Sequence, residues 1–229
     1  MRCAIIRFPG SNCDRDCFWA FNDVLGIPTE FRWHREDTLD GIDIVIIPGG
    51  FSYGDYLRTG AIARFSPIMN ALKEFVKKGR KVIGICNGFQ ILLESGLLPG
   101  AMLKNTSLKF ICKYVYIRTE TTNSPFTASL SKGQILKIPI AHYEGNYFAD
   151  EDTIKFLKDN DLIVFRYCDK NGNVNKDANP NGSIENIAGI LNKERNILGM
   201  MPHPERAMVK LLGSEDGKKL FQSLLDNLF

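Results

Sequence analysis

Apolar segments and amphipathic segments alternate along the first part of the chain. Three runs have the length and the Val and Ile content of buried strands: 3–8, 42–47 and 81–85. Three intervening stretches carry apolar residues at helical spacing: 13–25, 66–78 and 88–95. Continuous apolar strands that alternate with helices are typical of a parallel sheet covered on both faces. The pattern therefore predicts an α/β fold, with an open, mostly parallel sheet and helices on both faces.

The rest of the chain has a different pattern. Five further strands are predicted, the first two of antiparallel or edge type: 113–119, 134–141, 162–168, 187–191 and 196–202. Segment 169–186 is rich in Asn and Gly, which predicts a surface loop of successive turns. A last helix is predicted from about 215 to 228. Since neither a repeat nor a dividing linker is visible, we predict one domain, residues 1–229, with a β-rich insertion.

Composition narrows the class of protein. The 229 residues are 44% hydrophobic and 24% charged, which is ordinary for a globular chain. A net charge of +3 is too small to indicate a nucleic-acid partner. We expect no membrane contact, because no apolar run approaches the roughly 18 residues of a membrane helix. With no signal-peptide pattern at the N-terminus, the expected location is the cytoplasm, where the six cysteines should be reduced thiols.

The stretch Val82 to Leu93, VIGICNGFQILL, joins a predicted strand to a predicted helix. In its centre, Gly84 and Gly88 bracket Cys86 in the G-x-nucleophile-x-G form that fits a sharp strand-to-helix turn. Such a turn exposes the thiol at the carboxyl edge of the sheet, and the helix start favours the thiolate. Taken alone, the pentapeptide fits a nucleophile and a small core residue about equally well.

A general base would decide between these interpretations, and the chain has only three histidines. His34 lies in a charged stretch and is predicted to be a surface residue. His203 follows an apolar strand, in PHPE, and Pro204 favours extended geometry for it. Residues i and i+2 of an extended segment point to the same side, so Glu205 can orient the imidazole. The hypothesis is a Cys86, His203, Glu205 triad; the alternative for His203 is an ordinary loop residue.

Five stretches carry a family resemblance: FPGSNCDRD (8–16), PGGFSYGDYLRTGAIA (48–63), GICNGFQIL (84–92), PHPER (202–206) and, more weakly, NPNGS (179–183). The chain resembles class I, or triad, glutamine amidotransferases. Within this class, it is similar to the branch of glutaminase subunits of phosphoribosylformylglycinamidine synthase, in purine biosynthesis. The second stretch is the most specific, because other branches share its Pro-Gly-Gly but not the residues after that tripeptide.

The resemblance implies that Cys86 attacks the side-chain amide of glutamine and that His203, oriented by Glu205, transfers the protons. Backbone N–H groups of Gly50 and Asn87 are expected to stabilise the oxyanion, because glycines after a strand allow close approach. Contacts to glutamine are expected from four residues: Phe51, Gln90, Ser107 and Phe110. His142 and Glu144, in AHYEGNY, either shape the mouth of the site or are structural.

The chain contains neither a P-loop nor a dinucleotide-binding glycine motif. The expectation is therefore no cofactor and no metal in this chain, with ATP and Mg²⁺ bound by a partner. The partners implied by the resemblance are a large ATP-dependent synthase subunit and a small third subunit. Two other hypotheses stay open: a cysteine hydrolase or deglycase-type enzyme of similar architecture that acts alone, and a binding or scaffold subunit without chemistry.

Overall fold

The computed structural model describes residues 1–228. Eleven strands are present in this range: β1 (Cys3–Arg7), β2 (Thr29–Trp33), β3 (Ile44–Ile47), β4 (Lys81–Ile85), β5 (Ala101–Leu103), β6 (Ile111–Thr119), β7 (Ile135–His142), β8 (Asn146–Phe148), β9 (Ile163–Cys168), β10 (Ile187–Leu191) and β11 (Ile197–Met200). Five α-helices accompany them: α1 (Asp14–Phe18), α2 (Ile68–Lys77), α3 (Asn87–Glu94), α4 (Glu151–Asp159) and α5 (Asp216–Asp226).

Nine of the strands form one sheet in the order β2-β1-β3-β4-β11-β10-β9-β6-β7. The first five are parallel to one another, and the remaining pairings are antiparallel. Strands β5 and β8 form a separate antiparallel pair. Every residue of β3 is buried, and successive residues point to opposite faces, so both faces of the sheet are covered. The predicted α/β class and the mostly parallel sheet are thus confirmed.

Helices pack against the two faces of the sheet through apolar side chains. Helix α3 contacts the central strands β3, β4 and β11. The segment that follows α1 lies against α5, where the rings of Phe21 and Phe221 are 4.7 Å apart. No helix formed by residues 1–228 has the length and apolarity needed to cross a bilayer.

Several local predictions were wrong. The helix expected at 13–25 is a short α-helix continued by a π-helix, Trp19–Val24. Strand β2 and helix α4 were not predicted, because their half-exposed faces dilute the apolar pattern. The predicted surface loop 169–186 includes the fully buried Asn181. His34 is buried rather than exposed: its Nδ1 lies 2.8 Å from the hydroxyl of Tyr53, which compensates the burial of a polar ring in a charged stretch.

The register of two central strands places the candidate residues together. In the parallel pair β4 and β11, Ile85 lies opposite Met200, and both strands end at this level. Cys86 therefore leaves the sheet beside the segment that carries His203. The N–H of Cys86 donates to the carbonyl of Met200 at 2.8 Å, which links the two strand ends directly. This edge is where open α/β sheets bind ligands.

Candidate active site

Cys86 occupies a strained turn between β4 and α3. Its φ is +50° and its ψ is −106°, a conformation that costs a non-glycine residue about 1–3 kcal/mol. The two glycines make this turn possible. A Cβ on Gly88 would lie 2.0 Å from the carbonyl oxygen of Ile47, and one on Gly84 would lie 2.7 Å from the carbonyl oxygen of Gly88. A strained backbone conformation that surrounding contacts maintain, as at Cys86, is typical of functional residues.

His203 and Glu205 form a buried pair on the segment after β11. Nδ1–H of His203 donates to Oε1 of Glu205 at 2.6 Å, and both residues are about 1% exposed. Burial alone would lower the pKa of His203, but the nearby carboxylate of Glu205 and, whenever it is ionised, the sulfur of Cys86 raise that pKa well above the ordinary histidine value. Nε2 of His203 is buried and has no hydrogen-bond partner within residues 1–228. Glu205 thus fixes the tautomer and leaves Nε2 for proton transfer.

A hydrogen bond connects the loop after β3 to the first residue of α3. The N–H of Ser52 donates to Oδ1 of Asn87 at 3.1 Å, and Nδ2 of Asn87 donates to Oε1 of Gln90 at 2.9 Å. Gly50 has a φ of +143°, and a Cβ there would lie 2.7 Å from the backbone nitrogen of Asn12. These contacts hold the backbone of Gly50 and the first residue of α3 beside Cys86, as an oxyanion site requires.

A cleft of about 120 Å³ opens onto the thiol. Gly50, Phe51 and Gln90 line this cleft together with Cys86, so three of the predicted contacts meet there. Nε2 of Gln90 donates to the carbonyl of Glu144 at 2.6 Å, which ties α3 to the loop after β7. The thiol of Cys86 donates weakly to the carbonyl of Ala141 at 3.6 Å, at the end of β7 beside that loop.

Ser107 and Phe110 do not line this cleft. Both are exposed on the loop between β5 and β6, Phe110 by 50%. Asn105 holds this loop by donating to the carbonyls of Lys109 and His142, each at 2.9 Å. The structure therefore does not bring these two residues to the nucleophile.

His142 and Glu144 have different roles in the structure. His142 is buried, with Nδ1 at 3.1 Å from Oδ1 of Asn105 and Nε2 at 3.4 Å from Nδ2 of Asn181. Burial, and secondarily the charge of His203, lowers the pKa of His142 to about 4, so this ring is neutral at pH 7. Glu144 lines the cleft, and its carboxylate accepts from the hydroxyl of Thr59 at 2.9 Å. Both residues line the cleft, where the ring of His142 is held by two asparagines and the carboxylate of Glu144 by Thr59.

Sequence reasoning missed four residues around the cleft. Asp55 and Thr59 line the cleft, as does Ala141, and Asn181 anchors the loop behind it by donating to the carbonyl of Gly145 at 2.7 Å. The signal was present, because Asp55 and Thr59 lie in the most specific of the quoted stretches and Asn181 lies in NPNGS. The alternating pattern carries no information about such loop residues.

One group of side chains within residues 1–228 has the composition of a metal site. Donor atoms of Cys13, His203 and Glu205 lie within 4.8 Å of one another. However, Nη2 of Arg206 lies 3.1 Å from the sulfur of Cys13, and a fixed positive charge there disfavours a cation. A metal would also compete with the hydrogen bond that orients the imidazole.

A cysteine on a strand-to-helix turn, with a His–Glu pair from the adjacent strand, defines a triad amidotransferase. The sequence model of the CobB/CobQ-like glutamine amidotransferase domain matches residues 1–223. The chain therefore belongs to the glutamine amidotransferase family, as the resemblance of its motifs predicted.

Individual relatives specify the branch. The chain is 57% identical to the phosphoribosylformylglycinamidine synthase subunit PurQ of Koribacter versatilis, over 98% of this chain and 97% of the relative. The PurQ subunit of Aquifex aeolicus is 52% identical, over 99% of this chain and 100% of the relative. The structure of PurLQS from Thermotoga maritima contains a chain of 44% identity that superposes with a TM-score of 0.88, covering 100% of this chain and 99% of that one.

Proposed function

We propose that this chain is the glutaminase subunit of a phosphoribosylformylglycinamidine synthase, located in the cytoplasm. It hydrolyses glutamine to glutamate and ammonia, and delivers the ammonia to a synthase subunit that converts formylglycinamide ribonucleotide to formylglycinamidine ribonucleotide. The observation that carries this proposal is the strained Cys86 beside a buried His203–Glu205 pair, in a chain more than half identical to PurQ subunits over nearly its full length.

The chemistry follows from the geometry. The thiolate of Cys86 attacks the side-chain carbonyl carbon of glutamine, and the resulting oxyanion accepts from the backbone N–H groups of Gly50 and Asn87. The imidazolium of His203 gives its Nε2 proton to the departing nitrogen, which leaves as ammonia. A thioester between the glutamyl group and Cys86 remains. Nε2, now neutral, removes a proton from water, which attacks the thioester and releases glutamate.

The partners are the large ATP-dependent synthase subunit and a small third subunit. ATP and Mg²⁺ belong to the large subunit, since this chain carries no nucleotide-binding motif. Ammonia passes between the subunits through a protected channel, because free ammonia would be protonated and lost. Glutamine hydrolysis by this chain alone is expected to be slow. A rate equal to that of the assembled enzyme would contradict this coupling.

The test uses the complex reconstituted from the three subunits, with glutamine or a high concentration of ammonium chloride as the nitrogen source. Cys86→Ala should abolish product formation from glutamine and leave product formation from ammonium unchanged. Cys112→Ala, at an exposed cysteine, is the matched control and should keep both activities. Glutamine-dependent synthesis that survives Cys86→Ala would overturn the proposal. So would a complex that contains the unmutated chain and makes product from ammonium but not from glutamine.

A further inference from the structure

The peptide group between Gly49 and Gly50 carries a proposed oxyanion donor, the N–H of Gly50. Because neither residue has a side chain, this peptide can adopt more orientations than a peptide between other residues. If the peptide were rotated, the carbonyl oxygen of Gly49 would face the developing oxyanion and repel it. A contact from outside the loop would keep the donor in place.

Cys13, in the segment between β1 and α1, supplies such a contact. Its N–H donates to the carbonyl of Gly49 at 3.2 Å. In a trans peptide the carbonyl and the N–H that follows it point in opposite directions, so this bond turns the N–H of Gly50 away from Cys13. Gly50 lines the cleft with Cys86, and its N–H donates to no other group within residues 1–228. The hydrogen bond from Cys13 thus leaves this N–H free to bind an oxyanion.

The side chain of Cys13 is held by Arg206, which directly follows Glu205 of the triad. Nη2 of Arg206 donates to the sulfur of Cys13 at 3.1 Å, and Nε donates to Oδ2 of Asp16 at 3.0 Å. Cys13 is 4% exposed, and burial raises the pKa of its thiol, so the sulfur is a neutral acceptor at pH 7. Cys13 thus connects two parts of the site: its backbone holds the glycine loop after β3, and its side chain is bonded to the segment that carries the base.

We propose that Cys13, held by Arg206, is a positioning residue that keeps the oxyanion donor of Gly50 in place. This inference rests on the proposed function and assigns a further residue to the same reaction. It also gives a role to residues that the triad mechanism leaves unused: Cys13 and Asp16 lie in FPGSNCDRD, and Arg206 lies in PHPER. Cys13 does not line the cleft and takes no part in bond making.

The test measures two reactions of Cys86 in the complex reconstituted from the three subunits. Glutamine hydrolysis passes through an oxyanion, whereas alkylation by iodoacetamide displaces iodide and develops no charge on a carbonyl oxygen. Loss of a complete oxyanion donor typically lowers kcat about 100- to 1,000-fold, so the loosened donor in Cys13→Ala should lower kcat at least about tenfold, with little change in KM. The alkylation rate of Cys86 should stay within about twofold of the parental rate. Cys3, which is fully buried, should stay unmodified, which shows that the fold persists.

Further variants sharpen the test. Arg206→Ala should give a similar loss of kcat, and the double variant should lose no more than about threefold beyond the larger single effect, because both substitutions remove one contact. Cys13→Ser retains a polar acceptor and should recover most of the parental kcat. Cys168→Ala, at a buried cysteine at the end of β9, is the matched control and should change neither reaction.

The outcomes separate the two proposals. If the parent complex releases no glutamate from glutamine, the glutaminase function itself fails. If the parent is active and Cys13→Ala keeps its kcat, the positioning role is wrong, and a loss confined to Arg206→Ala would show that the guanidinium acts through its charge instead. An equal loss of hydrolysis and alkylation in Cys13→Ala would show that Cys13 only maintains the fold, which also overturns the inference.

Discussion

Gly49, directly before Gly50, lies against the imidazole of His203, the proposed catalytic base. A Cβ built on Gly49 would lie 2.7 Å from Cε1 of His203 and 3.1 Å from the sulfur of Cys13. The first distance is roughly 0.7 Å short of the 3.4 Å at which ordinary contact begins. Because Glu205 holds the imidazole through Nδ1, Gly49→Ala should displace the ring by several tenths of an ångström.

The expected cost falls mainly on catalysis. A misplacement of about 1 Å in a reacting group can reduce turnover by about 100-fold, so Gly49→Ala should lower kcat by about 10- to 100-fold with little change in KM. Overpacking of this size typically costs about 1–3 kcal/mol in the free energy of unfolding. Both quantities are accessible, from glutamine-dependent ammonia release in the complex and from urea denaturation of the chain.

Gly96 supplies the matched control. A Cβ there would meet nothing within 4 Å, although its φ of +71° is unfavourable for alanine. Gly96→Ala should therefore cost about 1 kcal/mol in stability and leave kcat unchanged. If Gly49→Ala kept the parental kcat, His203 would not act from the position that the structure gives it, and the assignment of the base would have to be abandoned.

Two further predictions concern buried charge. Glu205→Gln removes the carboxylate that raises the pKa of His203, so this pKa should fall and kcat should drop at least about 100-fold. NMR titration of the imidazole measures the pKa, and an unchanged value would contradict the pairing of His203 with Glu205. The pKa of Asp55 is about 6 in the folded chain, above its ordinary value of 3.8. The folded state therefore binds this proton more tightly than the unfolded state does. As the pH rises between these two pKa values, ionisation of Asp55 lowers the free energy of unfolding. After allowance for solvent screening, Asp55→Asn should add about 1 kcal/mol to the free energy of unfolding at pH 8 and nothing below about pH 4; equal differences at both pH values in urea denaturation would refute the sign.

Much of the fold, and the meeting of Cys86 with His203 and Glu205 at one sheet edge, could be predicted because local patterns indicate the strands and the turn. Strand β4 matches its apolar run at both ends, since a strand buried on both faces admits few polar residues. The strand-to-helix turn at Cys86 shows in the sequence through glycines that backbone contacts require. His203 follows the predicted strand at 196–202, and the parallel pairing of β11 with β4, which the structure shows, places it at the same sheet edge as Cys86.

The features that the sequence did not predict, such as the burial of Asn181 and His34, depend on contacts between distant segments of the chain. Asn181 lies in a loop whose Asn and Gly content predicts exposure, yet its side chain is fully buried against Gly145. His34 was misplaced for a similar reason, because Tyr53 and Ser66, its hydrogen-bond partners, lie 19 and 32 residues away. No periodicity in the chain encodes these pairings.

The central claim is that Cys86 is the nucleophile that attacks glutamine. The most direct measurement is a mass-spectrometric peptide map of the protein, assembled with its partners, after treatment with 6-diazo-5-oxonorleucine in the presence and absence of glutamine. The proposed mechanism predicts a single adduct on Cys86 that excess glutamine prevents. Adducts spread over several of the six cysteines and insensitive to glutamine, or an unmodified Cys86, would contradict it.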